Sequence, residues 1–548
     1  MKRLPLLTVL GMIALAVAVP MSGGMLGFGE ASPVPSGGSP RPSIAAVPTL
    51  APEPTGSATA SVAPEPTPQL TASPTPVPLA DVAIVPVTQF RATVTSTNRD
   101  ELSDVLAGRS KRYEALALVE SEADAIFAAL GVERPAATDH LVLAPDAARL
   151  TRDLAKHRKR LAFLRAEDVT PGVRALAWGG RSLFGVGRIT DPAAWRLHAQ
   201  LPAVAEDEAF DPAATWTMFA GGDILLDRGV YQTVRIRGRG VDFPFDGGTA
   251  EITGRTCCSA FGWEQPVTRR TGNAGAMREL IKGADIAIAN FENPAPDRVR
   301  WHTSGTVFSA DPGIIDGLAN AGIDYVSLAN NHIGDAGDAG ILQTIANLEE
   351  RGLAYSGAGK DLAAARKPAI LEANGVTVAV LGYDAIARAY FADEEEAGSS
   401  QLSLTRVRND IKTARKAGAD LVIVFPHWGT EYRAMPFAGQ QELARRIIDA
   451  GAGMIIGNHA HWAAALEVYE GKPIWYALGN FVFDQTWSEP TMEGLTLELT
   501  FHGAELVQAR MRPHIILDKA QPNFLDPAGD GRVVMGQVFD ASKGILPW

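Results

Sequence analysis

Apolar runs that end in polar groups recur along the second half of the chain. Residues 216–220 lead into Gly221, Gly222 and Asp223, and 285–289 into Asn290, Phe291 and Glu292. Residues 325–329 precede Asn330, Asn331 and His332, and 421–425 precede Pro426 and His427. Residues 454–456 precede Gly457, Asn458, His459, Ala460 and His461, and 473–478 precede Gly479 and Asn480. A uniformly apolar run suits a parallel strand covered on both faces. Open α/β sheets place their ligand sites just past the carboxyl ends of such strands. Helical periodicity at 276–281, 312–319, 340–350, 404–416 and 439–450 separates these runs, the alternation that builds parallel sheets. Residues 495–500 and 506–512 are apolar runs joined by a short turn, which predicts an antiparallel pair.

Upstream, 83–204 predicts a smaller α/β domain. Strands are expected at 84–87, 141–144 and 161–164, and helices at 99–106, 121–130 and 147–157, the first capped by Thr97 or Asn98. Its opening, PVTQFRATVTSTNRDELSDVLAGRSKRY, and a later FLRAEDVTPGVRALAWGG resemble one lobe of a periplasmic solute-binding protein. Residues 22–82 are dominated by Pro, Ser, Thr, Ala and Gly, with PEPT twice. Such a composition cannot bury enough apolar surface to offset its ordering entropy and predicts a disordered linker, a stalk or a plain spacer. Residues 1–21, with Lys2 and Arg3 ahead of an apolar run, form a signal peptide or signal-anchor. Export and an extracytoplasmic, membrane-anchored or released location follow. Residues 514–548 are read as a C-terminal extension.

Composition narrows the function. With 548 residues, 46% of them hydrophobic, the chain can bury large cores, while a net charge of −12 excludes a general nucleic-acid binder. Adjacent Cys257 and Cys258 can pair, bind metal or remain reduced; reduced and packed is the favoured reading. The acidic run 393–396 and the basic loop 235–239 read as solvated surface. Only ten histidines occur, yet His332, His427, His459 and His461 all stand at strand ends. Singly, each is an ordinary loop residue. Jointly they predict one polar site that binds metal. Gly457 is expected to permit a tight turn, small Ala460 to let both rings of His459 and His461 reach one ion, and both histidines to lie outside the packed core.

The ordered blocks GGDILLDRG, NFENP, SLANNHIGDAG, PHWGTEY and GNHAHW…YEGKPIWYALGNFVFDQ resemble the bacterial capsule synthesis protein CapA family, also called poly-γ-glutamate biosynthesis proteins. The resemblance spans 213–513 and implies a distant relation to calcineurin-type metallophosphoesterases. It therefore implies a four-layer α/β/β/α sandwich preceded by the smaller α/β domain. It also implies a divalent metal (Mn, Zn or Fe) held by Asp223, Glu292, His427, His459 and His461. His332, positioned by Asn331, would be the general acid, and Asn480 would orient the site. One departure stands out: phosphoesterases open on Asp-x-His, whereas Asp223 is followed by Ile224 and Leu225. A single metal or a weak second site is compatible with that.

The expected function is synthesis, attachment or export of an anionic surface polymer by a metal-dependent hydrolase or transferase. Its partners would be that polymer or its precursor and membrane-bound capsule synthesis components. The alternative is a non-catalytic polymer-binding or assembly component with a structural or vestigial metal site.

Overall fold

The computed structural model describes residues 78–136, 139–259 and 262–547. Residues 1–21, read above as a signal peptide or signal-anchor, and all but the end of the Pro/Ser/Thr-rich segment lie outside the described residues. That end is already folded: Leu79 to Val82, assigned above to the linker, open the strand Leu79–Gln89. Their backbone groups pair in register with His198–Pro202, a partner far away in sequence that local composition cannot reveal.

Leu79–Gln89 belongs to a six-stranded sheet in the order Leu141–Ala144, Ala115–Val119, Arg160–Arg165, Leu79–Gln89, Val173–Ala175, with His198–Pro202 also on Leu79–Gln89. The helices Arg99–Leu106, Ala123–Leu130 and Ala147–Lys156 accompany it. Asn98 caps the first, accepting the Glu101 amide at 2.9 Å. This sheet and its helices share a hydrophobic core of their own, built around Val85, Leu116, Leu118, Phe127 and Phe163.

Two further sheets pack face to face. The ten-stranded sheet has Thr215–Ile224 at its centre, antiparallel to Glu493–His502 on one side and parallel to Ile286–Phe291 on the other. In the six-stranded sheet Val376–Asp384, Leu421–His427, Met454–Ile456 and Lys472–Trp475 run parallel. Alternate side chains meet between the sheets: Trp216, Met218, Leu497 and Phe501 against Val378, Ile423, Phe425 and Trp475. The other faces are covered as well. Phe219, Ala287 and Val326 pack under the helices Ala276–Gly283, Asp316–Ala321 and Gly337–Glu350. Leu381, Val422 and Val424 pack under Leu404–Lys416 and Ala438–Asp449. These are the four layers of an α/β/β/α sandwich, and burial on both faces explains why the strands read as unbroken apolar runs.

Two readings need correction. Residues 514–548 are no appendage. The strand Glu505–Leu517 continues past Pro513, Gln521–Leu525 pairs beside it, and Val534 and Val538 of the helix Arg532–Ala541 enter the inter-sheet core. The helix carries an apolar stripe with no partner nearby in sequence, so only the assembled sandwich shows what it covers. Cys257 and Cys258 are joined as a vicinal disulfide beyond the strand Thr249–Thr256 rather than kept as packed thiols, each being the chain's only sulfur partner for the other. Among the described residues, no helix is long and apolar enough to cross a membrane.

Candidate metal centre

The strand ends converge because parallel strands of both sheets finish at one edge. Asp223 closes Thr215–Ile224, Asn290 and Glu292 close Ile286–Phe291, and His427 ends Leu421–His427. Asn480 arrives by a crossover. Past Ala220 the strand Thr215–Ile224 loses its antiparallel neighbour and pairs with Asn480–Val482 instead, which sets Asn480 beside Asp223. The approach is close enough that a Cβ on Gly222 would stand 1.9 Å from the Gly479 carbonyl.

All five expected ligands meet there, with Asp223 and Glu292 fully buried and His427, His459 and His461 no more than 4% exposed. They form two groups that could hold a metal ion, Glu292–His427–His459 and Asp223–Glu292–His461, with Glu292 common to both. The ligand atoms within each group lie within 4.8 Å of one another. Glu292 Oε1 sits 3.6 Å from Nε2 of His427 and 3.6 Å from Nε2 of His461, and His461 Nδ1 is 3.5 Å from Asp223 Oδ2.

Neighbouring amides fix these groups. Asn290 donates to Asp223 Oδ1 at 2.8 Å and lies 3.2 Å from His427 Nδ1. Asn480 Oδ1 holds His461 Nδ1 at 2.9 Å, and its own amide donates to Gln485 and to the Thr491 carbonyl. His427 Nε2 reaches Asn331 Oδ1 at 2.8 Å. His332 is within 3.1 Å of the Asn331 amide, and its Nδ1 contacts Asp335 Oδ2 at 2.9 Å.

Neither Glu292 carboxylate oxygen has a hydrogen-bond partner among the described residues. A buried carboxylate left unpartnered is costly, and its surroundings contain imidazole nitrogens rather than donors fixed on it. That donor set, carboxylates with neutral imidazoles, fits a divalent transition metal. Burial, then Asp223 and Glu431, push the Glu292 carboxyl well above its usual range in the absence of a cation.

Two expectations about the His-x-His tip change. His459 and His461 are buried, not outside the packing, because the loop folds into the space between strand ends. Their rings do not reach one ion: His459 joins Glu292 and His427, while His461 joins Asp223 and Glu292, and both backbones are left-handed, at φ 90° and 55°. Left-handed conformations at non-glycine residues cost roughly 1–2 kcal/mol each and collect at functional sites. Gly457 serves close approach rather than a tight turn: a Cβ there would lie 2.2 Å from the Tyr476 carbonyl and 2.4 Å from Trp428 Nε1.

Two residues escaped the sequence reading. Asp335, three residues after His332, was visible in NHIGDAG but carried no strand-end signal. Asp384 ends the strand Val376–Asp384 in register with His427, and its run VTVAVLGYD follows the same pattern as the others. It is buried and accepts from Ile386 N, Ala387 N and Ser399 Oγ, so it braces the loop beside His332.

Histidine burial sets the acid response of the metal-free protein. Burial first, then neighbouring histidines, lower His459 to about 3 and His427 well below 6.5. Burial lowers His514, whose Nε2 bonds the Asn480 carbonyl at 2.9 Å, to about 4. A histidine depressed in the folded state contributes its full stability above pH 6.5. It loses that contribution as pH falls from 6.5 towards its folded value, because the unfolded chain takes up the proton first. Glu493, pushed up by burial to about 8, acts in the opposite sense, so a difference between variants isolates the histidine. The melting temperature of a metal-free His514→Asn variant should decline less steeply between pH 6.5 and 4 than that of the parent. The share at stake is about 3 kcal/mol; parallel melting curves would refute it.

The family model "Bacterial capsule synthesis protein PGA_cap" matches residues 217–485. The chain is similar to the capsule biosynthesis protein CapA of Bacillus anthracis, 36% identical over 293 residues, covering 51% of this chain and 71% of that protein. It is also similar to the PGA biosynthesis protein CapA of Bacillus subtilis, 32% identical over 215 residues and covering 39% and 57%. Among solved structures, the calcineurin-like phosphoesterase YfkN from Bacillus subtilis aligns with 15% identity and a TM-score of 0.31, over 60% of this chain and 96% of that one.

Proposed function

We propose a function for a chain that belongs to the bacterial capsule synthesis protein family: an exported, metal-dependent hydrolase or transferase acting on an anionic surface polymer, of the poly-γ-glutamate kind, or on its precursor. The observation that carries this reading is the Glu292 carboxylate, buried without a hydrogen bond between the ring nitrogens of His427 and His461. Glu292, with His427 and His459 in one group and Asp223 and His461 in the other, would hold divalent metal, which supplies polarisation of a phosphoester or amide and a lowered pKa for water.

The chain's own residues do the rest. Asn290 and Asn480 hold Asp223 and His461 in place, the kind of outer support that orients ligands. Asp335 against Nδ1 of His332 fixes that ring, so Nε2, now beside the Asn331 amide, is the nitrogen that exchanges a proton with the leaving group.

Metal-loaded full-length protein should turn over a generic phosphodiester or a γ-glutamyl amide, and chelation should abolish that turnover. Stoichiometric metal with no turnover on any ester or amide would favour the non-catalytic assembly role, which the missing Asp-x-His histidine supports.

A further inference from the structure

A second charged feature lies in the first α/β domain and shares no residue with the metal centre. The helix Ala147–Lys156 and the segment after it read ARLTRDLAKHRKR, with six arginines and lysines against one aspartate. That aspartate, Asp153, is already engaged by Arg160 and His157, and Lys159 pairs with Glu114 at 3.1 Å. Arg152, Lys156 and Arg158 have no carboxylate within 4.0 Å among the described residues, and neither has Arg91, just past the strand Leu79–Gln89. These four cations, with Gln89, Ala155 and Pro547, line a cavity of about 400 Å³.

The cavity is built rather than incidental. Gln89 ties its floor together by donating to the Ala155 carbonyl at 3.0 Å. Arg91 stacks its guanidinium 4.8 Å over Phe539 of the C-terminal helix, and its Nε is buried without a hydrogen-bond partner. Burial and the neighbouring Arg158 both lower its pKa. A chain of net charge −12 thus concentrates uncompensated positive charge around one hollow, and an anion is what relieves that repulsion. Arg149, Arg152 and Lys156, three and four residues apart, extend the charge along one helix face for about 10 Å. A run of that length fits several linked carboxylates better than a single ion. The basic loop 235–239 is different, because Arg235 is already paired with Asp311 at 2.7 Å.

We propose that Arg91, Arg152, Lys156 and Arg158 form a docking site for a polycarboxylate chain, separate from the metal centre. Only the identification of that chain with the protein's own polymer rests on the function proposed above; the binding itself does not. The site would hold a repeating anionic strand through successive carboxylates, with no bond made or broken.

The test is polyglutamate binding to the metal-free, full-length protein, measured by calorimetry. The comparison is a variant carrying Arg152→Glu, Lys156→Glu and Arg158→Glu, all exposed positions. The parent should bind long polyglutamate more tightly than short, lose affinity as salt rises, and exceed the variant by roughly 30-fold or more. Equal affinity of parent and variant, with matching melting curves, would overturn the proposal. So would inorganic phosphate binding that polyglutamate fails to displace, or binding of anionic lipid vesicles without any binding of polyglutamate. Because the assay contains no metal and no reaction, absence of catalysis leaves its outcome unaffected. Turnover at the metal centre without polyglutamate binding would sink only this inference.

Discussion

Glu292→Gln should strip divalent metal from the protein while leaving the metal-free fold at least as stable as the parent. Glu292 is the residue common to both ligand groups, so its loss removes a charged ligand from either. In the metal-free state its carboxyl is fully buried with both oxygens unpartnered. A neutral amide of the same shape avoids the cost of ionising a group in that position. With metal at about 100 times its dissociation constant the parent gains about 2.7 kcal/mol, and the variant should gain none of it. Elemental analysis gives metal per chain, and melting curves with and without metal give the stabilisation. His461→Ala should lose only the metal of the Asp223–Glu292–His461 group, and His140→Ala in the first domain should change neither reading. Undiminished metal in either site variant would remove the metal centre from the argument.

His332→Ala should have the opposite profile, keeping metal and losing turnover. His332 stands in neither ligand group; it touches Asp335 and Asn331 and lies against Phe308, with ring centroids 4.2 Å apart. A positioned acid or base contributes about 10²–10⁴-fold, so a loss of that size in kcat at unchanged metal content is expected. The loss should shrink for substrates whose leaving group needs no proton, such as a nitrophenolate. Equal loss for good and poor leaving groups would show that His332 only braces the site.

The sequence by itself determined most of the strands whose ends converge and marked the polar residues at those ends. Strands buried on both faces must be apolar throughout, so each polar group at the end of such a run stands out, and Asp223, Glu292, His427, His459 and His461 were all legible in that way. Order of motifs was equally legible, because it is a property of the chain. Val376–Asp384 shows the limit: its run obeys the same rule but was overlooked, and Asp384 with it.

What only the tertiary structure decided are the features that depend on partners distant in the chain. Leu79 to Val82 become strand because His198–Pro202 lies beside them, and 514–548 completes the sandwich because the inter-sheet core needs Val534 and Val538. His459 and His461 are buried with left-handed backbones at the edge where Gly222 and Gly457 admit the Gly479 and Tyr476 carbonyls, segments distant from both glycines in the chain. No local pattern encodes that approach. The same holds for Asp335 behind His332 and for the gathering of Arg91 with Arg152, Lys156 and Arg158. Side-chain type and strand period are local properties of a chain, whereas burial and electrostatic pairing exist only once distant segments have met.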